Sequence, residues 1–395
     1  MPESQSHLFE AFSKAAAAYA ACPAITSKDP HAPQQLTYSE LYHQAVQLGH
    51  FLKAKGIGPQ DKVALILGNQ PEYAVTFFAI MSAGATAVPL DNQFPAALIQ
   101  NILLHCRAKL LIATQAVYEK IKLNTHVEIF IFDSAAFQAQ EKEASPQPDF
   151  APGFPPDSLA VIFYTSGTTE VPKGVMLSHA NLLANVRSLQ ELKIVQPGDA
   201  VISILPLHHA YSFTATLLVP LFSGARIVYP AGLNSADLLA CLCREKIAIF
   251  VGVPQVFSQI HRSIDARIKK LPLLKRAAVE VLGKACYVLR KTFRLNLSKK
   301  LFKDIHKNLG PSLRFLISGG ARLDPGMAAD FEKWGFVILE GYGLTETSPV
   351  VSFNPPGAPK IGSVGKAIKD VEMRIVDPGA DGRGEVAVRG PNVMA

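Results

Sequence analysis

The chain predicts an α/β fold: two packed sheet subdomains of the βαβ type, followed by a small β-rich subdomain. Three observations predict it. Short apolar runs alternate with amphipathic stretches of helical spacing through residues 63–114 and again through 201–251, the pattern of parallel strands joined by crossover helices. At 395 residues, 49% hydrophobic and 18% charged, the chain is long enough for more than one core. A stretch rich in proline and acid, residues 138–157, separates the two series, and from Gly362 the pattern changes to short alternating strands. The division is accordingly 1–150, 158–355 and 356–395.

The elements follow in order. Residues 1–55 carry helical spacing, broken at Pro23–Ile25. Thr37 and Glu40, three residues apart and followed by Leu41, Ala45, Val46 and Leu48, predict an amphipathic helix opened by a capping box. Gly56–Pro59 stops it. Val63–Leu67 reads as a buried strand, Pro71–Gly84 as a helix ending on glycine, Ala87–Leu90 as a strand, Pro95–Cys106 as a helix and Lys109–Thr114 as a strand. Beyond the linker come a strand at Leu159–Phe163 and a helix at Asn181–Leu192. Then follow strand Val201–Leu205, helix Ser212–Val219, strand Arg226–Tyr229, helix Ser235–Glu245 and strand Ile249–Val251. Phe315–Ile317 and Val337–Leu339 are strands that run into glycine-bearing loops, and Val371–Val376 and Gly384–Arg389 are the short strands of the last part.

Charge is unevenly placed. Between Arg262 and Lys307 stand 14 Lys/Arg against 3 Asp/Glu, a local +11 in a chain of net +7, so the remainder carries −4. Leu271, Leu273, Leu274, Val279, Val281, Leu282 and Leu289 are interspersed there. A solvated basic face and an amphipathic helix lying on an anionic membrane both fit this composition; nucleic acid is not expected as a partner. No apolar run free of charge and proline is long enough to span a bilayer, and Ala210–Val219 comes nearest. The acidic, interrupted N-terminus lacks the form of a secretory signal, so a cytoplasmic protein is expected. Five cysteines, scattered and without CxxC spacing, read as ordinary buried thiols.

The most informative stretch is Phe163–Val175, FYTSGTTEVPKGV. Hydroxylated and small residues, Thr165, Ser166, Gly167, Thr168 and Thr169, follow an apolar strand, and Lys173 precedes the next one. Such a loop can present backbone N–H groups, hydroxyls and one ammonium to a phosphate; an exposed polar hairpin is the alternative. The spacing is not that of GxxxxGK[ST], because neither Ser nor Thr follows Lys173. Two more glycine-bearing loops leave strand ends, Ser318–Ala321 and Gly341–Glu346. In open α/β sheets, ligands gather at the carboxyl ends of strands. Gly319 and Gly320 let a flat ring approach the backbone, Tyr342 can stack on it, Thr345 offers a hydroxyl, and Glu346 is a hard oxygen ligand suited to Mg²⁺ on a nucleotide phosphate.

These stretches also resemble a known family. YTSGTTEVPKGV is similar to the signature of the adenylate-forming enzymes, with Glu170 where the family usually has glycine. EGYGLTET at 340–347 matches the family's adenine- and magnesium-binding segment, SGGARLDP at 318–325 the segment beside it, and LPLHHAYSF at 205–213 its LPLxHxxG segment, with Ser212 replacing glycine. TYSEL, DKVALILGNQPEY and AIMSAGATAVPLD extend the likeness through the first half. The resemblance implies the large N-terminal domain of such an enzyme. It assigns Thr165–Thr169 and Lys173 to the phosphates of ATP, and Gly319, Gly320, Ala321, Gly341, Tyr342 and Gly343 to the adenine pocket. It also assigns Thr345 to the α-phosphate, Glu346 to Mg²⁺ and His209 to the neighbourhood of the acyl carboxylate. Thr165, Lys173, His209, Thr345 and Glu346 are thus the expected catalytic residues.

The layout RIKKLPLLKRA…LGPSLRFLISGGARLDP resembles the long-chain fatty acyl-CoA synthetase branch. That implies a medium- to long-chain fatty acid as substrate, with CoA or acyl carrier protein as acceptor. Family members continue beyond the GEVAVRGPNVM segment with a ribose-binding aspartate, a hinge and a smaller domain carrying a catalytic lysine. An N-terminal domain, weakly active or inactive alone, is therefore expected. A non-catalytic nucleotide- or acyl-binding module and a luciferase-like oxidase are the competing readings.

Overall fold

The computed structural model describes residues 7–29, 34–123, 125–132, 154–165, 173–293 and 298–394. In chain order the strands are β1 (Pro23–Ser27), β2 (Gln34–Thr37), β3 (Lys62–Ile66), β4 (Thr86–Pro89), β5 (Ala108–Ala113), β6 (Glu128–Ile131), β7 (Leu159–Thr165), β8 (Lys173–Ser178) and β9 (Ala200–Ile202). They continue as β10 (Arg226–Tyr229), β11 (Ile249–Gly252), β12 (Phe315–Ser318), β13 (Ile338–Gly343), β14 (Val350–Phe353), β15 (Lys366–Ala367), β16 (Glu372–Val376) and β17 (Glu385–Arg389).

One sheet has the order β6-β5-β3-β4-β7-β8, parallel except for the antiparallel β7–β8 hairpin. The other runs β15-β14-β13-β12-β11-β9-β10-β1-β2 and is parallel from β13 to β1, with antiparallel strands at both edges. Strands β4 and β11 are buried along their whole length, which is why they read as unbroken apolar runs and not as alternating ones. β16 and β17 form a separate two-stranded ribbon, mostly exposed.

One of the buried hydrophobic clusters contains residues of both sheets, Val63 and Leu65 from one and Ile25 and Ile227 from the other. Helix Pro71–Ser82 is buried along eleven of its residues, as an element apolar all round must be. Phe78 stacks on Phe12 at 3.9 Å, Phe77 meets Phe213 edge-on at 4.8 Å, and Phe213 meets Phe163 at 5.3 Å. Truncating any of these rings to alanine costs about 3–5 kcal/mol. Helix Tyr38–Ala54 opens with the expected capping box. The Glu40 N–H donates to the Thr37 hydroxyl at 3.2 Å, and Thr37 N–H donates to the Glu40 carboxylate at 2.7 Å.

The structure departs from the sequence reading in several places. Residues 23–27 and 34–37 are strands, where only a break in helical spacing is legible. β1 is stabilised by parallel pairing with β10, some 200 residues away, which no local pattern encodes. The sheets also exchange strands across the linker: β1 and β2 join the nine-stranded sheet, and β7 and β8 join the six-stranded one. Residues 138–153 of the linker lie outside the described residues, and Phe154 at its end packs between His7 and His179 instead of lying free on the surface. β13 continues through Gly343, so Gly341–Gly343 belong to a strand and not to a loop. β14 holds it there in antiparallel register. The cysteines are not uniformly buried: Cys106 and Cys241 are, Cys22 is exposed, and all five are free thiols.

Candidate active site

The carboxyl ends of β12 and β13 open onto a cavity of about 390 Å³. His209–Tyr211 form one wall, Ser318–Gly320 a second and Gly341–Glu346 a third, with Pro349, Val350 and Phe353 behind. Seven of the residues singled out from the sequence therefore converge with Glu346 on one space: His209, Gly319, Gly320, Gly341, Tyr342, Gly343 and Thr345. Ala321 is exposed and does not line it.

Thr165 and Lys173 approach from the other sheet. They form the terminal pair of the β7–β8 hairpin, and β8 lies against the turn Thr345–Thr347. Lys173 is exposed and Thr165 half-buried. Ser166, Gly167, Thr168, Thr169 and Glu170 lie outside the described residues.

Close approach explains the glycine at 319. A Cβ there would sit 2.7–3.0 Å from the ring of Tyr211, whose hydroxyl donates to the carbonyls of Gly252 and Ile317 at 3.4 Å. Burial raises the Tyr211 phenol well above its ordinary range, so it stays protonated and donating. Gly320 adopts φ +79°, where a side chain is strained.

The turn carrying Thr345 and Glu346 is held from behind by groups that sequence reading passed over. Leu344 N–H and the Thr347 hydroxyl both donate to Pro349 O, at 3.0 and 2.7 Å. Asn185, fully buried, donates to Val350 O at 2.7 Å, and Asn392 donates to Thr347 O at 2.8 Å. Ser348 donates to Asn392 O at 2.8 Å, and Glu346 O accepts from Met394 N–H at 2.8 Å. Asn185 had a legible signal: it is polar between Leu182, Leu183 and Val186 on the buried face of helix His179–Gln190.

His209 is positioned from the first sheet. Asn69 donates to Leu205 O at 2.8 Å and accepts from Leu207 N–H at 3.3 Å, while the Tyr73 hydroxyl donates to Leu207 O at 2.9 Å. Ser212, in place of the expected glycine, donates to Pro206 O and His209 O. Asp91 lies 3.5 Å from His208 Nε2, and the two histidine rings are 4.3 Å apart. Burial pushes His208 down to about 4 and also lowers His209, with Asp91 opposing both shifts, so both imidazoles are neutral at pH 7. Glu340, preceding the cavity-lining Gly341 on β13, accepts from Gly362 N–H at 3.3 Å; burial raises its carboxyl above the usual range.

Among the described residues there is no cluster of three or more His, Cys, Asp or Glu placed to hold a metal. Glu346 is a single exposed carboxylate at the cavity mouth, beside the Thr345 hydroxyl. A second cavity, of about 90 Å³ and apolar, lies between helices Ser235–Arg244, Pro254–Lys269 and Lys303–Leu309. No helix among the described residues is long and apolar enough to cross a membrane.

Comparison with known proteins fits this geometry. The family described as AMP-binding enzyme matches residues 12–395. The chain belongs to this family. Its relatives in the AMP-binding family include a feruloyl-CoA synthase of an Amycolatopsis species, 28% identical over 372 residues that cover 92% of this chain and 67% of the relative. They also include long chain acyl-CoA synthetase 6, peroxisomal, of Arabidopsis thaliana, 30% identical over 400 residues, 91% of this chain and 56% of the relative. The AMP-binding chain thus spans between about half and two thirds of these relatives' length. Its fold is shared with the N-terminal domain of FACL13 from Mycobacterium tuberculosis, at TM-score 0.76 and 20% identity, over 98% of this chain and 90% of that one.

Proposed function

We propose that this chain is the nucleotide- and acyl-binding part of an enzyme that activates a medium- to long-chain fatty acid as its adenylate and passes the acyl group to CoA. The single observation that carries the reading is the convergence of His209, Gly319, Gly320 and Gly341–Glu346 on one cavity, with the strand bearing Lys173 against the turn bearing Thr345. A carboxylate is a poor acyl donor because its leaving group is oxide. Attack of its oxygen on the α-phosphorus of ATP expels pyrophosphate and leaves a mixed anhydride, from which a thiol takes the acyl group and releases AMP.

The chain's residues orient and neutralise. The Lys173 ammonium and the hydroxyls and N–H groups of Thr165–Thr169 hold the phosphates, and Thr345 donates to the α-phosphate. Tyr342 stacks on adenine beside Gly320, while the Tyr211 ring fills the space over Gly319. Neutral His209 can donate a hydrogen bond to the acyl carboxylate without neutralising its attack. Glu346, a hard oxygen donor, would hold Mg²⁺, and bound Mg²⁺ would supply charge neutralisation of the polyphosphate. ATP, CoA and, as an alternative acceptor, acyl carrier protein are the partners in this reading. Peripheral membrane contact through 262–307 and a cytoplasmic location belong to it too.

The feruloyl-CoA synthase relative favours a second reading, an aryl acid as substrate. Calorimetric titration with non-hydrolysable acyl-sulfamoyl adenosines separates the two. A dodecanoyl or hexadecanoyl analogue is expected to bind at least about tenfold tighter than the feruloyl analogue, a difference of about 1.4 kcal/mol. The reverse order would assign an aryl acid, and no binding of either would leave a non-adenylating module.

A further inference from the structure

We infer that helix Leu273–Phe293 is a docking surface for an anionic lipid bilayer, lying in the membrane plane with its apolar ridge inward to the lipid. The sequence places apolar and basic residues together here without saying which face the protein covers; the structure does. Gly283, buried, and the half-buried Arg276, Val279, Cys286 and Tyr287 form the inner side, and a Cβ on Gly283 would rest 3.5 Å from the ring of buried Phe302. Leu274, Ala277, Ala278, Val281, Ala285 and Val288, spaced by three and four residues, form the opposite side, and all are exposed. Leu274 is 87% exposed, Val281 67% and Val288 58%, in a helix whose apolar ridge would ordinarily face the core.

Charge chooses the occupant. Arg262, Arg267, Lys270, Lys284, Lys299 and Lys303, on this helix and the elements flanking it in sequence, are all exposed. Of the segment's three acids, Asp265 is paired with Lys269 at 2.6 Å. An apolar ridge in a segment whose sequence carries a net +11 complements an acyl-chain surface carrying anionic headgroups, to which each Lys or Arg near the bilayer adds attraction. A protein partner or a second copy would need a counter-surface of the opposite character, and the rest of this chain, at −4 overall, is only weakly acidic. The inference takes its purpose from the fatty-acid reading, since such a substrate resides in lipid, but its test needs no turnover.

The experiment is co-sedimentation of the full chain with phosphatidylcholine vesicles, with and without phosphatidylglycerol. Binding is expected only to the anionic vesicles, weakened by high salt, and reduced at least about tenfold in the double variant Leu274→Glu/Val281→Glu. Both positions are exposed, so the variant should keep wild-type ATP binding and denaturation, and these are measured alongside. Equal binding by variant and wild type, or none to anionic vesicles, overturns the inference. So does a dimer in vesicle-free solution that the double variant converts to monomer, which would assign the ridge to a second copy. Failure here leaves the acyl-sulfamoyl adenosine result untouched, so the two claims fall separately.

Discussion

Replacing Gly343 by alanine probes the back of the site most sharply. A Cβ at this position would fall onto the Pro349 carbonyl oxygen, 2.7 Å from the carbonyl carbon and 3.0 Å from Val350 Cα. All three are backbone atoms, so no side-chain rotation relieves the clash. Pro349 O is in addition the acceptor for Leu344 N–H and the Thr347 hydroxyl, and moving it breaks both bonds. Overpacking costs about 1–3 kcal/mol, and two hydrogen bonds at about 1 kcal/mol each bring the expected destabilisation to roughly 3–5 kcal/mol. The assay is urea denaturation compared at constant slope, with ATP–Mg²⁺ binding read calorimetrically on the folded variant. Gly357→Ala is the control: nothing lies within 4 Å of its added Cβ, and it should change stability by less than about 0.5 kcal/mol. If Gly343→Ala stays within about 1 kcal/mol of wild type and binds nucleotide equally well, the 343–350 turn is not the rigid wall described.

Three further outcomes follow. Asn185→Ala removes a buried donor to Val350 O and should cost about 1–3 kcal/mol in denaturant, with weaker ATP binding, because Val350 also lines the cavity. His179 is fully buried and burial, with His7 beside it, lowers its pKa to about 3. The unfolded chain therefore takes up a proton below about pH 6.5 that the fold excludes, and stability from this group, complete above 6.5, should fall by up to about 1.4 kcal/mol per pH unit as pH drops toward 3. His179→Gln should flatten that slope in denaturation series at pH 7 and 5, and an unchanged slope would place the loss elsewhere. Lys173→Ala should weaken ATP about 10- to 100-fold, the worth of a charge-assisted bond, while leaving stability within about 0.5 kcal/mol because the side chain is exposed.

Local chemistry was legible wherever the determinant was local. The Thr37–Glu40 box and the buried runs at β3, β4 and β11 each announce themselves through spacing or residue type, and each lies where expected, while Gly319 and Gly320 line the cavity. Pairing across the chain was not legible. β1 and β2 are short and carry little alternation; what makes them strands is the free edge of β10. The same holds for the supports of the site. Asn69, Tyr73 and Asp91 belong to the six-stranded sheet's helices and loops, yet they hold the Leu205–His209 segment of the other sheet, and only the packed arrangement shows it. The basic segment was half legible: its composition is in the sequence, but the outward direction of the Leu274–Val288 ridge depends on Phe302 filling the space under Gly283.

The central claim, that loops of two sheets build one nucleotide site, is tested most directly by calorimetric titration of the chain with ATP–Mg²⁺. Saturable binding at one site per chain is expected, weakened at least about tenfold by Lys173→Ala from one sheet and by Tyr342→Ala from the other, with Gly357→Ala indistinguishable from wild type. Absence of binding in both the wild-type chain and Glu170→Gly, or binding indifferent to Lys173 and Tyr342 alike, would contradict it.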